Sequence, residues 1–148
     1  MNIFELVAGA DFYAFPRPSP DGEFLAWVQW NHPSMPWWGT ELWVGQLNDG
    51  KVIKGKKIAG GETESISQPE WSPSTELFYL SDRSGWSNLY RFNDQKNDLV
   101  IGGEFDISRP LWVLDQSRYA IRSDGTAVAA ITEPNGSTSI ATSLGTKK

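Results

Sequence analysis

The chain has 148 residues, enough for one domain with a substantial core, and its 13 Lys and Arg against 18 Asp and Glu give a net charge of -5. This acidic balance excludes the basic surface that binding to a nucleic-acid backbone requires. The lack of cysteine excludes disulfides and thiolate chemistry, and no apolar run reaches the length of a membrane span. Together these features predict a cytoplasmic protein that binds neither nucleic acid nor membrane.

Residues 1–11 are predicted to form an N-terminal extension. The small residues Ala8-Gly9-Ala10 resemble the cleavage site of a signal peptide, but no Lys or Arg precedes the apolar stretch and Glu5 interrupts it. We therefore expect no cleaved signal. Ile3 to Ala8 is the one stretch that suits a helical turn or two.

A strand pattern begins after this extension. An extended segment reaches Ser19-Pro20, and Asp21-Gly22 then makes a turn. Phe24–Val28 is a continuous apolar run of strand length, which predicts a strand covered on both faces. Glu41–Leu47 alternates apolar and polar residues, as expected for a further strand. These elements predict one β-sheet over residues 12–59.

The same pattern returns downstream. Pro69–Leu80 aligns with Pro16–Trp27 without a gap, 53 positions later. Gly85–Phe92 then repeats the alternating strand, with Leu89 equivalent to Leu42. A repeat of this length indicates the blades of a β-propeller, each a sheet of four strands.

A partial third copy begins at Pro110-Leu111-Trp112, 41 positions after Pro69. Ala127–Ile131 and Ser139–Thr142 are its predicted second and third strands, and no sequence remains for a fourth. The predicted fold is therefore an all-β, WD40-like or TolB-like propeller fragment with two full blades, 12–59 and 66–101, and part of a third, 108–144. A weakly structured tail, 145–148, follows.

Several stretches resemble the propeller of S9-type, prolyl-oligopeptidase-like serine peptidases, the dipeptidyl-aminopeptidase and acylaminoacyl-peptidase type. They are Ala10–Gly22, Leu25–Trp27, Asn31–Pro33, Met35–Trp37, Gly39–Trp43, Gln68–Pro73, Leu80–Tyr90 and Ser108–Trp112. The resemblance implies a propeller that admits only short or unfolded peptides to a Ser-His-Asp site on a following α/β-hydrolase domain, which this sequence lacks. The sequence departs from the family pattern at Trp38, at Ser74-Thr75 and after Gly125. With the missing fourth strand, the last departure suggests a truncated or frameshifted gene product.

The residues predict no catalytic site in this chain. The nearest approach to the Gly-x-Ser-x-Gly elbow is Gly85–Leu89, which lacks the second glycine and falls in a predicted hairpin. His32 is the single histidine, so it has neither a triad nor an imidazole-rich metal site to join, and no cofactor is expected. The acidic residues are best explained as solvated turn and edge positions. They are Asp21, Glu23, Glu41, Glu62, Glu64, Glu70 and Asp82.

The loop Trp30–Gly39 is the one place where large apolar side chains are predicted outside strands. As a functional site it offers a contact patch for a partner domain, or a stacking platform for a peptide or sugar. As a structural element it would fold over the edge of the blade and fill the core between blades, which the recurrence of tryptophan in the blades favours. The candidate contact residues are Trp30, His32, Met35, Trp37 and Trp38.

Two main functions follow. The first is a non-catalytic propeller portion of an S9-like peptidase, whose partner is an absent hydrolase domain. The alternative is a free-standing TolB-like module that binds protein or carbohydrate. In either case an end blade exposes an apolar face, which predicts low stability or self-association through the open blade edges.

Overall fold

The computed structural model describes residues 3–93 and 95–143, and the predicted tail 145–148 lies outside them. Eleven strands form three antiparallel sheets, and no helix occurs in these residues. Sheet one contains β1 (Phe12–Pro18), β2 (Phe24–Trp30), β3 (Glu41–Asn48) and β4 (Lys51–Gly60). Sheet two contains β5 (Ile66–Trp71), β6 (Leu77–Ser81), β7 (Asn88–Asn93) and β8 (Lys96–Ile101). Sheet three contains β9 (Tyr119–Ile121), β10 (Ala127–Thr132) and β11 (Thr138–Thr142). The all-β fold and the two four-stranded sheets with part of a third confirm the predicted propeller fragment.

The two central strands that the sequence marks as continuous apolar runs are covered on both faces. All five residues of β6 are buried, and in β2 the four residues Leu25–Val28 are buried. The turns that precede them are built alike: the Ser19 hydroxyl accepts the Phe24 amide, and the Ser72 hydroxyl accepts the Glu76 amide. Each serine is thus a buried anchor that fixes where its strand begins.

The gapless alignment of the first two repeats is wrong by one residue beyond this turn. The Ser19 amide donates to the Phe24 carbonyl, whereas the Ser72 amide donates to the Glu76 carbonyl, so the second turn is one residue shorter. In the third sheet the Arg122 amide donates to the Thr126 carbonyl, so this turn has the same length as the second one. Because side chains alternate between the faces of a strand, a one-residue error assigns every later residue to the wrong face.

The corrected register aligns the three sheets residue by residue. Leu25, Leu77 and Ala127 are equivalent, and each pairs with the last residue of the first strand in its sheet. Val28 pairs with Leu42, and Leu80 pairs with Leu89. The predicted equivalence of Leu42 and Leu89 is therefore confirmed.

Two buried clusters join the sheets face to face. The first lies between sheets one and two and includes Ala26, Val28, Leu42, Tyr79 and Tyr90. The second lies between sheets two and three and includes residues from the other face of sheet two with residues of sheet three. Its central members are Phe78, Leu80, Leu89, Ala127, Ala129 and Ile131. Sheet two is therefore covered on both sides, and sheets one and three are each covered on one.

The third copy of the repeat, which begins at Pro110–Trp112 in the sequence, has no strand at those residues. Asp106, just before them, bridges to Thr132 at the end of β10, and β9 pairs with β10 through Tyr119↔Ala129. Residues 109–118 form a connection in which Leu111 is buried and Trp112 is 75% exposed. The aromatic residue at Trp112 made this connection resemble the end of β5, where Trp71 pairs with Leu77.

Residues 3–8 have no helical turn, so the expectation for Ile3 to Ala8 is wrong. Too few backbone hydrogen bonds stabilise so short a segment without packing, and Ile3 and Phe4 are 93% and 72% exposed. A search of the described residues for helices long and apolar enough to cross a membrane finds none.

Candidate functional site

The predicted contact loop connects β2 to β3 at the end of sheet one where β1 begins. Trp30 is 9% exposed and belongs to the first core cluster. Its ring stacks on Phe12 at 5.3 Å, and His32 contacts the same Phe12 ring edge-on at 4.9 Å. Asp11 fixes the start of the loop, since its carboxylate accepts the His32 amide at 2.9 Å and its own amide donates to Asn31 at 2.7 Å.

The far half of the loop is a tight turn packed against the chain that leads into β5. The amides of Trp38 and Gly39 both donate to the Met35 carbonyl. A Cβ at Gly39 would collide with the Glu62 carbonyl, so only glycine allows this close approach. The Ser65 hydroxyl donates to the Pro36 carbonyl at 2.7 Å, which ties the turn to the start of sheet two.

This geometry separates the five candidate residues into two groups. Trp30 is a core residue, in keeping with the structural interpretation of the loop. Met35, Trp37 and Trp38 are 42%, 40% and 61% exposed, so these side chains do not fill the space between blades. Trp37 and Trp38 contact each other edge-to-face at 6.3 Å. His32 is exposed at the border between the two groups.

Two cavities flank the loop. The larger, about 450 Å³, is lined by Trp30, His32, Glu41 and Glu62 among others. The Glu41 carboxylate is already engaged, because it accepts the Trp43 indole N–H at 2.9 Å and pairs with Lys57 at 3.2 Å. Its pKa is lowered by these hydrogen bonds although burial opposes the change. The carboxylate is therefore held ionised within the wall of the cavity.

The second cavity, about 270 Å³, lies between Trp37 and the connection that carries Arg109. Asp82 and Asp106 line it, and each accepts a backbone amide, from Ser65 at 2.7 Å and from Ser87 at 2.8 Å. Burial raises the pKa of Asp82, and the nearby carboxylates raise it further. Asp82 thus ties the end of β6 to the start of β5, and Asp106 ties the chain that follows β8 to the start of β7.

The serine in Gly85–Leu89 is also part of these connections. Ser87 is 7% exposed, its carbonyl accepts the Ile107 amide at 2.7 Å, and its hydroxyl accepts the Ser108 amide at 3.3 Å. It lies in the connection from β6 to β7, as the sequence predicted for a hairpin position. A search of the described residues finds no group of three or more His, Cys, Asp or Glu side chains able to hold a metal.

Glu64 is more than a solvated acid. Its carboxylate pairs with Arg83 at 2.8 Å and accepts the Ser81 hydroxyl at 2.6 Å. The Arg83 guanidinium lies over the Tyr90 ring at 4.4 Å and donates to the Tyr79 hydroxyl at 2.8 Å. Nothing in the spacing of these residues predicts the cluster, because it forms only when β6, β7 and the preceding loop pack together.

A further exposed apolar group lies at Trp112-Val113-Leu114. These side chains are 75%, 58% and 39% exposed. Gln116 shapes the segment by donating to the carbonyls of Pro110 and Val113. The run of four apolar residues after Pro110 was the available signal in the sequence.

No family profile matches the chain, and no curated protein does. Solved structures do match. A puromycin-hydrolysing peptidase of Mycobacterium tuberculosis is 38% identical with a TM-score of 0.79, and a puromycin hydrolase is 31% identical with a TM-score of 0.77. Each match covers 89% of this chain and 22% of the other. These are peptidases of the S9, prolyl-oligopeptidase-like type.

The chain is a propeller fragment similar to one portion of these S9 peptidases. It spans about a fifth of the length of those S9 peptidases, so it corresponds to one part of them. TolB from Acinetobacter baumannii matches with a TM-score of 0.52 at 17% identity, which shows a shared propeller fold. The resemblance in the sequence to S9-type propellers is thereby confirmed.

Proposed function

We propose that this chain is the non-catalytic propeller portion of an S9-like serine peptidase, and that in the complete enzyme it gates the access of short peptides to a following α/β-hydrolase domain. The similarity to S9 peptidases supports the relationship. The observation that carries the proposal is the concentration of exposed apolar side chains at one end of sheet one.

That end is defined by the pairing of Phe12 with Trp30, which brings the start of β1 and the loop after β2 together. It carries five large apolar side chains that are 36–61% exposed: Phe12, Tyr13, Met35, Trp37 and Trp38. The opposite end of the sheet consists of polar turns at 19–23 and at 48–51. An apolar patch of this kind is typical of a surface that another domain covers.

A chimera tests the proposal. The matching fifth of the M. tuberculosis peptidase is replaced by residues 12–143 of this chain, and puromycin hydrolysis is measured. We expect a folded, active enzyme, because the inserted segment keeps the register of the strands and the exposed apolar end of sheet one. A matched control carries the Trp37→Ser and Trp38→Ser substitutions. Its propeller is expected to bind the hydrolase domain more weakly, so the interface between the two domains should melt at a lower temperature.

Two results would overturn the proposal. One is a chimera that folds, as judged by circular dichroism, but hydrolyses no puromycin. The other is turnover of acyl-peptide or aminoacyl chromogenic substrates by the isolated chain, because that would place a catalytic site within it. We also propose that the three blades comprise residues 12–59, 66–101 and 108–144. We further propose that the protein is cytoplasmic.

The exposed pair Trp37 and Trp38 supports a second candidate, a free-standing TolB-like module that binds protein or carbohydrate. These adjacent indole rings, of which Trp37 lines the cavity of about 270 Å³, offer a stacking platform for a sugar or an aromatic side chain. Quenching or shifting of tryptophan fluorescence by an oligosaccharide or peptide series, lost in Trp38→Ser, would favour this candidate. A flat titration with every ligand would remove it.

A further inference from the structure

The first strands of the three sheets form one edge of the array. On this edge Arg17 of β1 pairs with Glu70 of β5 at 3.3 Å. The Gln68 side chain of β5 donates to the Tyr119 carbonyl of β9 at 3.0 Å. β1 packs on β5 more closely than the last strands β4 and β8 pack on each other, as in sheets that radiate from an axis. This is therefore the inner edge, which faces the central channel in a complete propeller.

The connection 109–118 of sheet three crosses this inner edge. Its Asp115 carboxylate pairs with Arg17 of sheet one at 3.1 Å, although sheet two lies between sheets one and three. Leu111 is buried and lines a small cavity together with Phe15 of β1. The connection thus runs from sheet three over the unpaired side of β5 to sheet one.

Side-chain contacts fix the conformation of this connection. Gln116 donates to the carbonyls of Pro110 and Val113 at 3.3 and 3.0 Å. Asp115 has a φ of 63°, in the left-handed region, and the Arg17 guanidinium holds its carboxylate. A non-glycine residue keeps such a φ only where the surrounding structure stabilises it. The apolar residues just before Asp115 are therefore presented in one arrangement.

Three apolar side chains of the connection are exposed on the inner edge. Trp112, Val113 and Leu114 are 75%, 58% and 39% exposed, although Leu111 next to them is buried. A longer propeller would add sheets to the faces of sheets one and three, but the unpaired side of β5 would still face the channel. We therefore expect these three side chains to line the channel in the complete protein.

The connection is also continuous with the exposed apolar end of sheet one. A cavity of about 270 Å³ lies between them, lined by Trp37 and by the residues 109–111 among others. The proposed function assigns this end to the hydrolase domain. A peptide that moves along the channel toward that domain therefore passes residues 112–114 before it reaches the hydrolase site.

We propose that Trp112, Val113 and Leu114 form an apolar strip on the wall of the channel, and that the strip binds the apolar side chains of short peptides on their way to the hydrolase site. This role rests on the proposed function, to which it adds a substrate class. An indole ring and two aliphatic side chains bury apolar groups favourably, but they leave the polar groups of a hydrophilic peptide without partners. The strip therefore favours peptides with apolar side chains over peptides with polar ones.

Nuclear magnetic resonance of the chain itself tests the strip without any hydrolase domain. The indole N–H signal of Trp112, assigned by its loss in Trp112→Phe, is followed during titration with acetyl-Phe-Leu-Phe-amide and with acetyl-Ser-Gln-Ser-amide. We expect the apolar peptide to shift this signal and the polar peptide to leave it unchanged. Val113→Ser should reduce the shift, whereas Leu99→Ser should not. Leu99 is the matched control, because it is 57% exposed but lies on β8, the last strand of sheet two.

Competition in the chimera with the M. tuberculosis peptidase measures the same preference during turnover. Each of the two peptides is added as an inhibitor of puromycin hydrolysis, and the apolar peptide is expected to inhibit more strongly. The double substitution Trp112→Ser, Val113→Ser should weaken inhibition by the apolar peptide about tenfold, because two apolar contacts are lost. Inhibition by the polar peptide should not change, and Leu99→Ser should leave both inhibition constants unchanged.

Three results would overturn the proposal. One is a Trp112 signal that shifts equally with both peptides or with neither. The second is an active chimera in which the double substitution leaves inhibition by the apolar peptide unchanged. The third is a lower melting temperature of the domain interface in that variant, because the strip would then contact the hydrolase domain. A chimera without activity contradicts the proposed function instead, and the titration of the chain by itself still decides the role of the strip.

Discussion

At the scale of single residues, a buried side chain holds sheet three to sheet two. Gln68 has a φ of 44°, at the irregularity in the pairing of β5 with β6. Its side chain donates to the Tyr119 carbonyl at 3.0 Å and accepts the Arg118 amide at 2.7 Å. The Tyr119 hydroxyl donates in return to the Gln68 carbonyl at 2.6 Å, and burial raises the pKa of this phenol well above its usual value. The phenol therefore stays neutral and remains a donor.

Removing this hydroxyl leaves a buried carbonyl without its donor. We expect Tyr119→Phe to lower the free energy of unfolding by about 1–3 kcal/mol, the cost of an unsatisfied buried acceptor. Urea denaturation followed by fluorescence measures the change. Tyr13→Phe is the control, because Tyr13 is 40% exposed and its hydroxyl accepts a bond from an exposed amide. A Tyr119→Phe variant as stable as the control would contradict the role of the bond.

Asp82 makes stability depend on pH. Burial raises its folded-state pKa above the unfolded value, so the folded chain binds the proton more tightly. The resulting stabilisation is present below the unfolded pKa and is lost as the pH rises through the folded one. We expect Asp82→Asn to be more stable than the unmodified chain at neutral pH, with the difference vanishing in acid, since the amide oxygen still accepts the Ser65 N–H.

Asp21 provides the opposite sign as a control. The Ser19 hydroxyl and the Glu23 amide donate to its carboxylate and lower its pKa. Its stabilisation is therefore present above the unfolded pKa and lost as the pH falls. Thermal melts over the acid range measure how the melting temperature changes with pH. For Asp82→Asn and Asp21→Asn, this pH dependence should deviate in opposite directions from that of the unmodified chain.

At the scale of elements, the turns before β2, β6 and β10 place a residue in the left-handed region. Gly22 and Gly125 have φ of 76° and 80°, and each donates its amide back to the first residue of the turn. Thr75 makes the same bond with a φ of 63°. A β-branched side chain is strained there, whereas glycine is not.

We expect Thr75→Gly to raise the free energy of unfolding by roughly 1 kcal/mol, because relief of left-handed strain exceeds the entropy cost of glycine. Gly125→Thr is the reverse exchange in the equivalent turn and is expected to lower stability by a similar amount. Chemical denaturation of both variants measures the pair. If both substitutions raise the free energy of unfolding, or both lower it, the two turns are not equivalent.

These turns also explain why the gapless alignment of the first two repeats is wrong. The Ser-Pro pair and the apolar run after it are plain in the sequence at 19–28 and at 72–80. The turn between them differs by one residue, and polar turns carry no periodicity that reveals an insertion. Only the hydrogen bonds from Ser19 and Ser72 fix the register, and with it the face on which each side chain lies.

At the scale of the whole molecule, burial is unequal among the sheets. Sheet two is covered on both faces, and Phe78, Tyr79, Leu80 and Leu89 are all at most 1% exposed. In β11 four of the five residues are exposed. Local opening costs least where few apolar contacts are lost, so sheet three should open before sheet two.

Hydrogen exchange at single-residue resolution tests this order. We expect the amides of β6 and β7 to exchange most slowly and those of β11 to exchange fastest. Uniform protection across the three sheets would contradict the order and would indicate a single cooperative unit.

The sequence by itself determined the all-β class, the repeat and the similarity to S9-type propellers, because apolar runs of strand length and Ser-Pro turns are local features. The contact loop was also predicted, with Met35, Trp37 and Trp38, since large apolar residues between strands are visible in the sequence. The tertiary structure alone decided that Trp30 is a core residue while Trp38 is exposed, because both are tryptophans in one loop and only packing distinguishes them. It also decided where β9 begins and which faces of the sheets pack on one another, because these depend on pairing between residues far apart in the chain.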